Sequence, residues 1–257
     1  MKEEVKENIK KTICNCLRKK LAGYKPESNH MPFHHRLLGK DRMALYSFIH
    51  SLNTAFGISI FEPVAVALAR GKFKYTESQH VVGNEIYSDC QSEIQNIIDL
   101  LSTGENTSEK SRELENLRKK LSGTKRKQKP VKADLYFVDN HDAHYLFDLK
   151  TVKPNISDFK DYKRTMLEWA GIAMTANPSI KINTIVAIPY NPYEPEPYER
   201  WTMKGMFDLR NEILVGAEFW DFIGGEGAYN DLLDCFEKAG IEMRAELDAC
   251  FARYKNQ

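Results

Sequence analysis

The sequence predicts an α/β (α+β) chain: a mixed sheet, with an antiparallel hairpin and one parallel strand, flanked by helices. Three observations carry this. Two strand-like runs, ADLYFVD (133–139) and AHYLFDLK (143–150), are separated by the turn-compatible residues Asn140, His141 and Asp142. Residues 157–177 then repeat apolar side chains at helical spacing, Phe159, Tyr162, Met166, Trp169, Ala170 and Ala173, and stop at Asn177-Pro178. INTIVAIPY (182–190) is a short continuous apolar run of the buried-strand type. Strand, helix and strand in this order call for a right-handed crossover, which makes the last strand a parallel neighbour of the hairpin's second strand.

Composition bounds the function classes. The chain has 257 residues, 42% hydrophobic and 28% charged, an ordinary globular balance. It reads as a single domain over residues 1–257, with helical regions at about 1–70 and about 205–257. The net charge of +1 hides an asymmetry: residues 194–257 hold seven Lys/Arg against fourteen Asp/Glu, leaving about +8 on residues 1–193. A basic body suits a polyanion. Five scattered cysteines, Cys14, Cys16, Cys90, Cys235 and Cys250, contain no CxxC pair and suggest reduced thiols, not a disulfide scaffold or zinc module. With no signal-peptide pattern and no long apolar run, the expected location is cytoplasmic, away from membranes.

Taken in order, residues 1–22 form an amphipathic helix with Val5, Ile9, Ile13, Cys16 and Leu17 on one face. The following segment carries His30, His34, His35 and Arg36; no Cys or acid stands at ligand spacing, so phosphate contact suits it better than a metal. Asp41 is placed to N-cap a helix through Met43, Leu45, Phe48, Ile49 and Leu52. In the apolar run that follows, Glu62 is the one carboxylate, directly before Pro63. It either charges a helix start or serves as an extra acid at a site. Residues 72–88 read as extended, and Ile94, Ile97, Ile98 and Leu101 as one helix face, with a second helix over SRELENLRKKL (111–121). Arg118–Lys132 then packs eight Lys/Arg and no acid into fifteen residues. This is either a solvated, mobile loop or a basic arm whose Lys125, Arg126, Lys127 and Lys129 follow phosphates. After the last strand, YNPYEPEPYE (190–199) is an irregular connection, and Arg200, Lys204 and Arg210 are candidates to meet bases or plain surface. Gly224-Gly225-Glu226-Gly227 lacks the Lys-Ser/Thr of a phosphate loop and reads as a turn before a C-terminal helix pair.

The chemistry concentrates in the hairpin. Asp148 and Lys150 lie one pleat apart on one face, and Asp134 on the neighbouring strand can face the same way. Two carboxylates and an ammonium suit metal-assisted phosphodiester hydrolysis: a hard cation takes one or two carboxylates and keeps several waters, and lysine orients or deprotonates the nucleophile. The pattern resembles the PD-(D/E)xK nuclease superfamily, with Asp134 as first acid and Asp148-Leu149-Lys150 as D-x-K, although Ala133 stands in place of the motif's proline.

Three stretches in this order, FGISIFEPVAVALA, KADLYFVD with YLFDLKTVKPN, and GAEFWDFIGGEG, resemble type II restriction endonucleases of the TdeIII family over roughly residues 30–240. The resemblance implies Mg²⁺-dependent cleavage of duplex DNA by a homodimer at an interrupted palindrome of the GGNCC type. The enzyme would share its system with a cognate DNA methyltransferase without direct contact. It implies Asp134, Asp148 and the Leu149 backbone carbonyl as metal ligands, Lys150 as the lysine positioning water, and Glu62 as a helical acid. Two other readings of the same core remain, a structure-specific nuclease and a DNA-binding module without catalysis.

Overall fold

The structure is a computed structural model that describes residues 1–25, 31–150, 158–198, 203 and 205–255. Chain order is α1 (Glu3–Ala22), α2 (Pro32–Leu38), α3 (Lys40–Ala55), a π-helical turn (Phe56–Phe61), α4 (Glu62–Ala69), β1 (Tyr75–Tyr87), α5 (Ser88–Thr103), α6 (Lys110–Lys119), β2 (Lys125–Val138), β3 (Ala143–Leu149), α7 (Phe159–Ala176), β4 (Lys181–Ile188), β5 (Ile213–Val215), α8 (Ala217–Gly224) and α9 (Ala228–Lys255). These divide into two compact units, a helical one of Met1–Leu68 with Glu226–Gln257, and a sheet-bearing one of Ala69–Gly225.

In the helical unit α1 lies along α9. Ile9, Ile13, Cys14 and Leu21 are buried, as are Leu232, Cys235, Ala239 and Met243. Ion pairs flank this seam: Lys6 with Asp231 at 2.6 Å, Lys10 with Glu242 at 3.2 Å and Arg18 with Glu246 at 3.0 Å. They are partly exposed, so apolar burial carries most of the stability. The sequence suggested two helices after Gly227; one continuous helix of 28 residues forms instead, because the apolar face runs unbroken past Gly240. Helix α3 starts at Lys40 with Gly39 as its N-cap, two residues before the expected Asp41 cap. Helix α3, the π-helical turn and α4 join end to end. Their run Arg42–Ala69 is long and apolar enough to cross a membrane by length and composition, a length hidden when the segments are read singly. Ile60, Val64, Ala65 and Leu68 of this run are buried within the protein.

The sheet unit holds five strands in the order β1-β2-β3-β4-β5. β1/β2 and β2/β3 are antiparallel, whereas β3/β4 and β4/β5 are parallel. The expected hairpin, crossover helix and parallel strand are all present. The hairpin turns tightly because Asp139 Oδ1 accepts the His141 and Ala143 N–H groups at 2.8 and 2.9 Å and Asp142 adopts φ 58°. One side of the sheet packs Phe137, Tyr145 and Phe147 against Phe219 and Phe222 of α8 and against Phe73. Against the other side lies α7, brought close to β1 by two glycines. A Cβ on Gly83 would sit 2.8 Å from Ile172, and one on Gly171 2.9 Å from Ile86.

The basic stretch needs a correction. Lys125–Lys132 is not a mobile loop; it is the first half of β2, with Lys125, Arg126 and Lys127 paired to Tyr87, Ile86 and Glu85. Backbone pairing with β1, not apolar patterning, makes it a strand, and long charged side chains tolerate its exposed surface. Pro130 falls where the register shifts between Glu85 and Gly83, a bulge that tolerates the missing N–H.

A buried ionic cluster ties this unit together. Lys163 of α7 and Glu212, just before β5, are fully inaccessible, and Lys110 and Glu113 of α6 nearly so. Lys163 Nζ donates to Glu113 Oε2 at 2.6 Å, to Glu212 Oε2 at 2.7 Å and to Ser108 Oγ at 2.9 Å. Lys110 Nζ donates to Glu212 Oε1 at 2.9 Å and to Thr184 of β4. Burial pushes the Glu212 carboxyl up, but the two lysines outweigh it and hold the group below its ordinary value. Four charges cancel, and helix, strand and loop are locked in one arrangement. Glu212→Ala leaves two buried lysines facing one carboxylate, and the expected loss is about 3–5 kcal/mol of unfolding free energy in a urea titration.

Candidate active site

The β2/β3 pairing sets the site. Leu135 lies opposite Phe147, so one step along each strand Asp134 falls opposite Asp148. Leu149 N–H donates to Asp134 Oδ2 at 2.8 Å, which fixes one carboxylate against the next strand. Asp148 is buried, and its Oδ1 lies 2.8 Å from Lys150 Nζ. Lys150 N–H donates to the Ala187 carbonyl at 3.0 Å, extending the parallel pairing of β3 and β4 one residue past Leu149. The sequence thus marks three side chains that the sheet brings together.

The pair is electrostatically loaded. Burial and the neighbouring Asp148 charge push the Asp134 carboxyl up to about 6, against the opposing pull of the Leu149 N–H and Lys150. Side-by-side carboxylates of this kind fit a divalent cation, which removes the repulsion by accepting oxygens from both. Among the described residues no group of three or more His, Cys, Asp or Glu side chains gathers at metal-binding distance. The two carboxylates are oxygen donors, which suit a hard ion that retains water better than zinc or a softer metal.

A residue that sequence reading assigned to the helix core belongs to this site. Tyr162 of α7 places its ring 4.3 Å from Lys150 Nζ, and its hydroxyl donates to Asp158 Oδ2 at 3.2 Å. Burial, with Asp158 next, pushes the Tyr162 phenol up to about 12. Helical periodicity groups Tyr162 with the apolar face and carries no signal of a lysine on another element. The Leu149 N–H was likewise invisible, since a backbone donor has no residue-type signature.

The remaining candidates fall elsewhere. Glu62 is buried at 2% exposure where the π-helical turn meets α4, and belongs to the helical unit, whereas Asp134, Asp148 and Lys150 belong to the sheet unit. Lys125, Arg126, Lys127 and Lys129 are exposed on β2, the strand that leads to Asp134. Lys125 Nζ sits 5.2 Å from the Tyr87 ring centroid. Arg200 and Lys204 lie outside the described residues, as does His30. His34 and His35 are on α2.

A mixed sheet with an acid on each strand of its hairpin and a lysine beside them has the make-up of a nuclease core. The chain belongs to the HinfI family of type II restriction endonucleases, whose family model matches residues 1–240. The motifs suggested the TdeIII family; the family model shows HinfI, and both readings give a type II restriction endonuclease. Among curated relatives, the type II restriction enzyme MjaII of Methanocaldococcus jannaschii is 28% identical over 197 residues, covering 72% of this chain and about half (51%) of that enzyme. The type II restriction enzyme HgiCII of Herpetosiphon aurantiacus is 26% identical over 236 residues, 88% of this chain and 84% of that enzyme. HgiEI, from the same organism, is 25% identical over 221 residues, 84% of this chain and 79% of that enzyme.

The raised Asp134 pKa has a thermodynamic consequence in metal-free protein. Its carboxyl binds a proton more tightly folded than unfolded, so its contribution to stability is full below the ordinary value of 3.8 and lost as pH rises through about 6. Asp134→Asn keeps an acceptor for Leu149 N–H and removes the charge. In chelator, the variant is expected to be more stable than wild type by about 2–3 kcal/mol near pH 8, a gain that vanishes towards pH 4. Urea titrations at the two pH values measure it.

Proposed function

We propose that the chain is a Mg²⁺-dependent type II restriction endonuclease of the PD-(D/E)xK kind that cleaves duplex DNA at a specific sequence. The observation that carries this reading is Asp134 opposite Asp148 with Lys150 at 2.8 Å from Asp148. Asp134, Asp148 and the Leu149 carbonyl would hold the ion. When bound, Mg²⁺ supplies charge neutralisation at the scissile phosphate and a more acidic water. Lys150, already held beside the acids, orients the attacking water and steadies the developing negative charge. Glu62 acts as an accessory acid. The whole chain, both units included, works as one endonuclease domain in the cytoplasm.

The target is an interrupted palindrome of the GGNCC type, as the resemblance to the TdeIII family implies. A palindrome pairs naturally with a two-fold homodimer. A cognate methyltransferase protects host DNA without touching the enzyme. Lys125, Arg126, Lys127 and Lys129 contact phosphates, with Arg200 and Lys204 as further DNA-binding residues. Being on a strand, the basic row meets the duplex from a fixed scaffold, and it lies five to nine residues from Asp134, about 17–30 Å along an extended chain.

Digestion of a sequenced plasmid with Mg²⁺, followed by sequencing of the ends, tests the function directly. Discrete ends at one palindromic site are expected; random nicking would refute specificity. Asp134→Ala, Asp148→Ala and Lys150→Ala are each expected to abolish cleavage while DNA binding in Ca²⁺ persists, because phosphate and base contacts are separate from the chemistry. Glu62→Gln is expected to slow cleavage less than loss of Asp134.

Changing Lys125, Arg126, Lys127 and Lys129 together to Gln is expected to weaken binding to all duplexes alike. It should flatten log affinity against log salt by roughly 3, about 0.9 for each lost phosphate contact. A salt titration on cognate and scrambled duplexes reads it. Unchanged slopes would leave the row without a phosphate role.

A further inference from the structure

We propose that Tyr162 is a positioning residue for cleavage: its ring face holds the Lys150 ammonium against Asp148. The proposal deepens the nuclease reading and rests on Lys150 acting in it. Lysine is a poor catalytic group unless it is held, because four rotatable bonds let its ammonium wander through water. Here its backbone is fixed to β4 by the bond to Ala187, but that bond does nothing for the far end of the side chain. Among the described residues, two contacts restrain the ammonium. Asp148 Oδ1 lies at 2.8 Å and the Tyr162 ring centroid at 4.3 Å, well inside cation–π range.

These contacts differ in what survives during turnover. Asp148 is also a candidate metal ligand, so its negative charge is shared once a cation is present. The Tyr162 ring carries no net charge and coordinates no hard ion, so its hold on Lys150 persists. Its own position is fixed at two places. The hydroxyl donates to Asp158 at 3.2 Å, and the next residue, Lys163, is bonded to Glu113 and Glu212 inside the buried cluster. One turn of α7 thus faces the core with Lys163 and the catalytic lysine with Tyr162.

The test compares Tyr162→Leu, →Gln, →Phe and →Trp by single-turnover cleavage of a plasmid that wild type cuts, alongside DNA affinity in Ca²⁺ and a thermal melt. Leu and Gln remove the ring, and cleavage is expected to slow about tenfold with affinity unchanged. Phe and Trp keep a ring and are expected to stay within about threefold of wild type. That aromatic rescue is what a space-filling role would not give to Gln and Phe so differently. Gln suits a half-buried position and replaces Leu if Leu unfolds the chain. Wild-type rates in the non-aromatic variants, equal loss in Phe, or a loss confined to DNA affinity would each overturn the proposal. A Lys150→Ala variant run in parallel separates the two levels: if it cuts normally, the nuclease assignment of Lys150 fails first; if it is dead while Tyr162→Gln is normal, only the positioning role fails.

Discussion

Two carboxylates held side by side in a partly buried place repel each other, and the rest of this structure serves to keep them there. Left to itself a chain would turn one of them into water. The register of β2 against β3 forbids that, since Asp134 and Asp148 fall opposite one another and the Leu149 N–H takes hold of Asp134. The aromatic packing on the reverse of the hairpin, Phe137 and Phe147 against Phe219 and Phe222, anchors the same two strands. A one-residue slip of either strand would turn that strand's rings out of the aromatic packing and its acid away from the other. The core thus enforces a strained electrostatic arrangement that a cation can relieve.

The buried Lys163–Glu113–Glu212–Lys110 cluster plays a different part. Buried ion pairs add little net stability compared with apolar packing, but breaking one is costly. Their value lies in uniqueness: Lys163 has partners on α6 and ahead of β5, and Lys110 reaches Thr184 of β4. A shifted α7 would strand a charge. The helix that carries Tyr162 therefore has one low-energy position along the sheet.

Much of this was legible in the sequence, and the boundary is physical. The hairpin, α7 and β4 declare themselves through period-2 or period-3.6 apolar patterning that water enforces on any half-buried element. Asp134, Asp148 and Lys150 stood out because charge in such strands demands a reason, and the sheet does bring them together. The basic half of β2 was hidden, since its strand character comes from hydrogen bonds to β1 and its side chains face solvent. Lys110 and Lys163 carry no mark in the sequence, because a buried lysine reveals itself only through partners 49 to 102 positions away. β5, with three residues, is too short for any pattern to form. Tyr162 looked apolar because one face of its ring is.

The bulge around Pro130 has an evolutionary consequence. On its far side the strand can gain or lose a residue, since a register irregularity already absorbs one there. From Lys132 to Asp134 no such slack exists, since Val81 opposite Lys132, His80 opposite Ala133 and Ser78 opposite Leu135 keep one register. A single-residue insertion or deletion would turn Asp134 to the opposite face, whereas a change of two would restore its direction but move it along its partner strand. Length variation among descendants of this chain is therefore expected to collect at Gln128–Pro130 and to spare Lys132–Asp134, so that surface drift upstream leaves the geometry of the acid pair untouched.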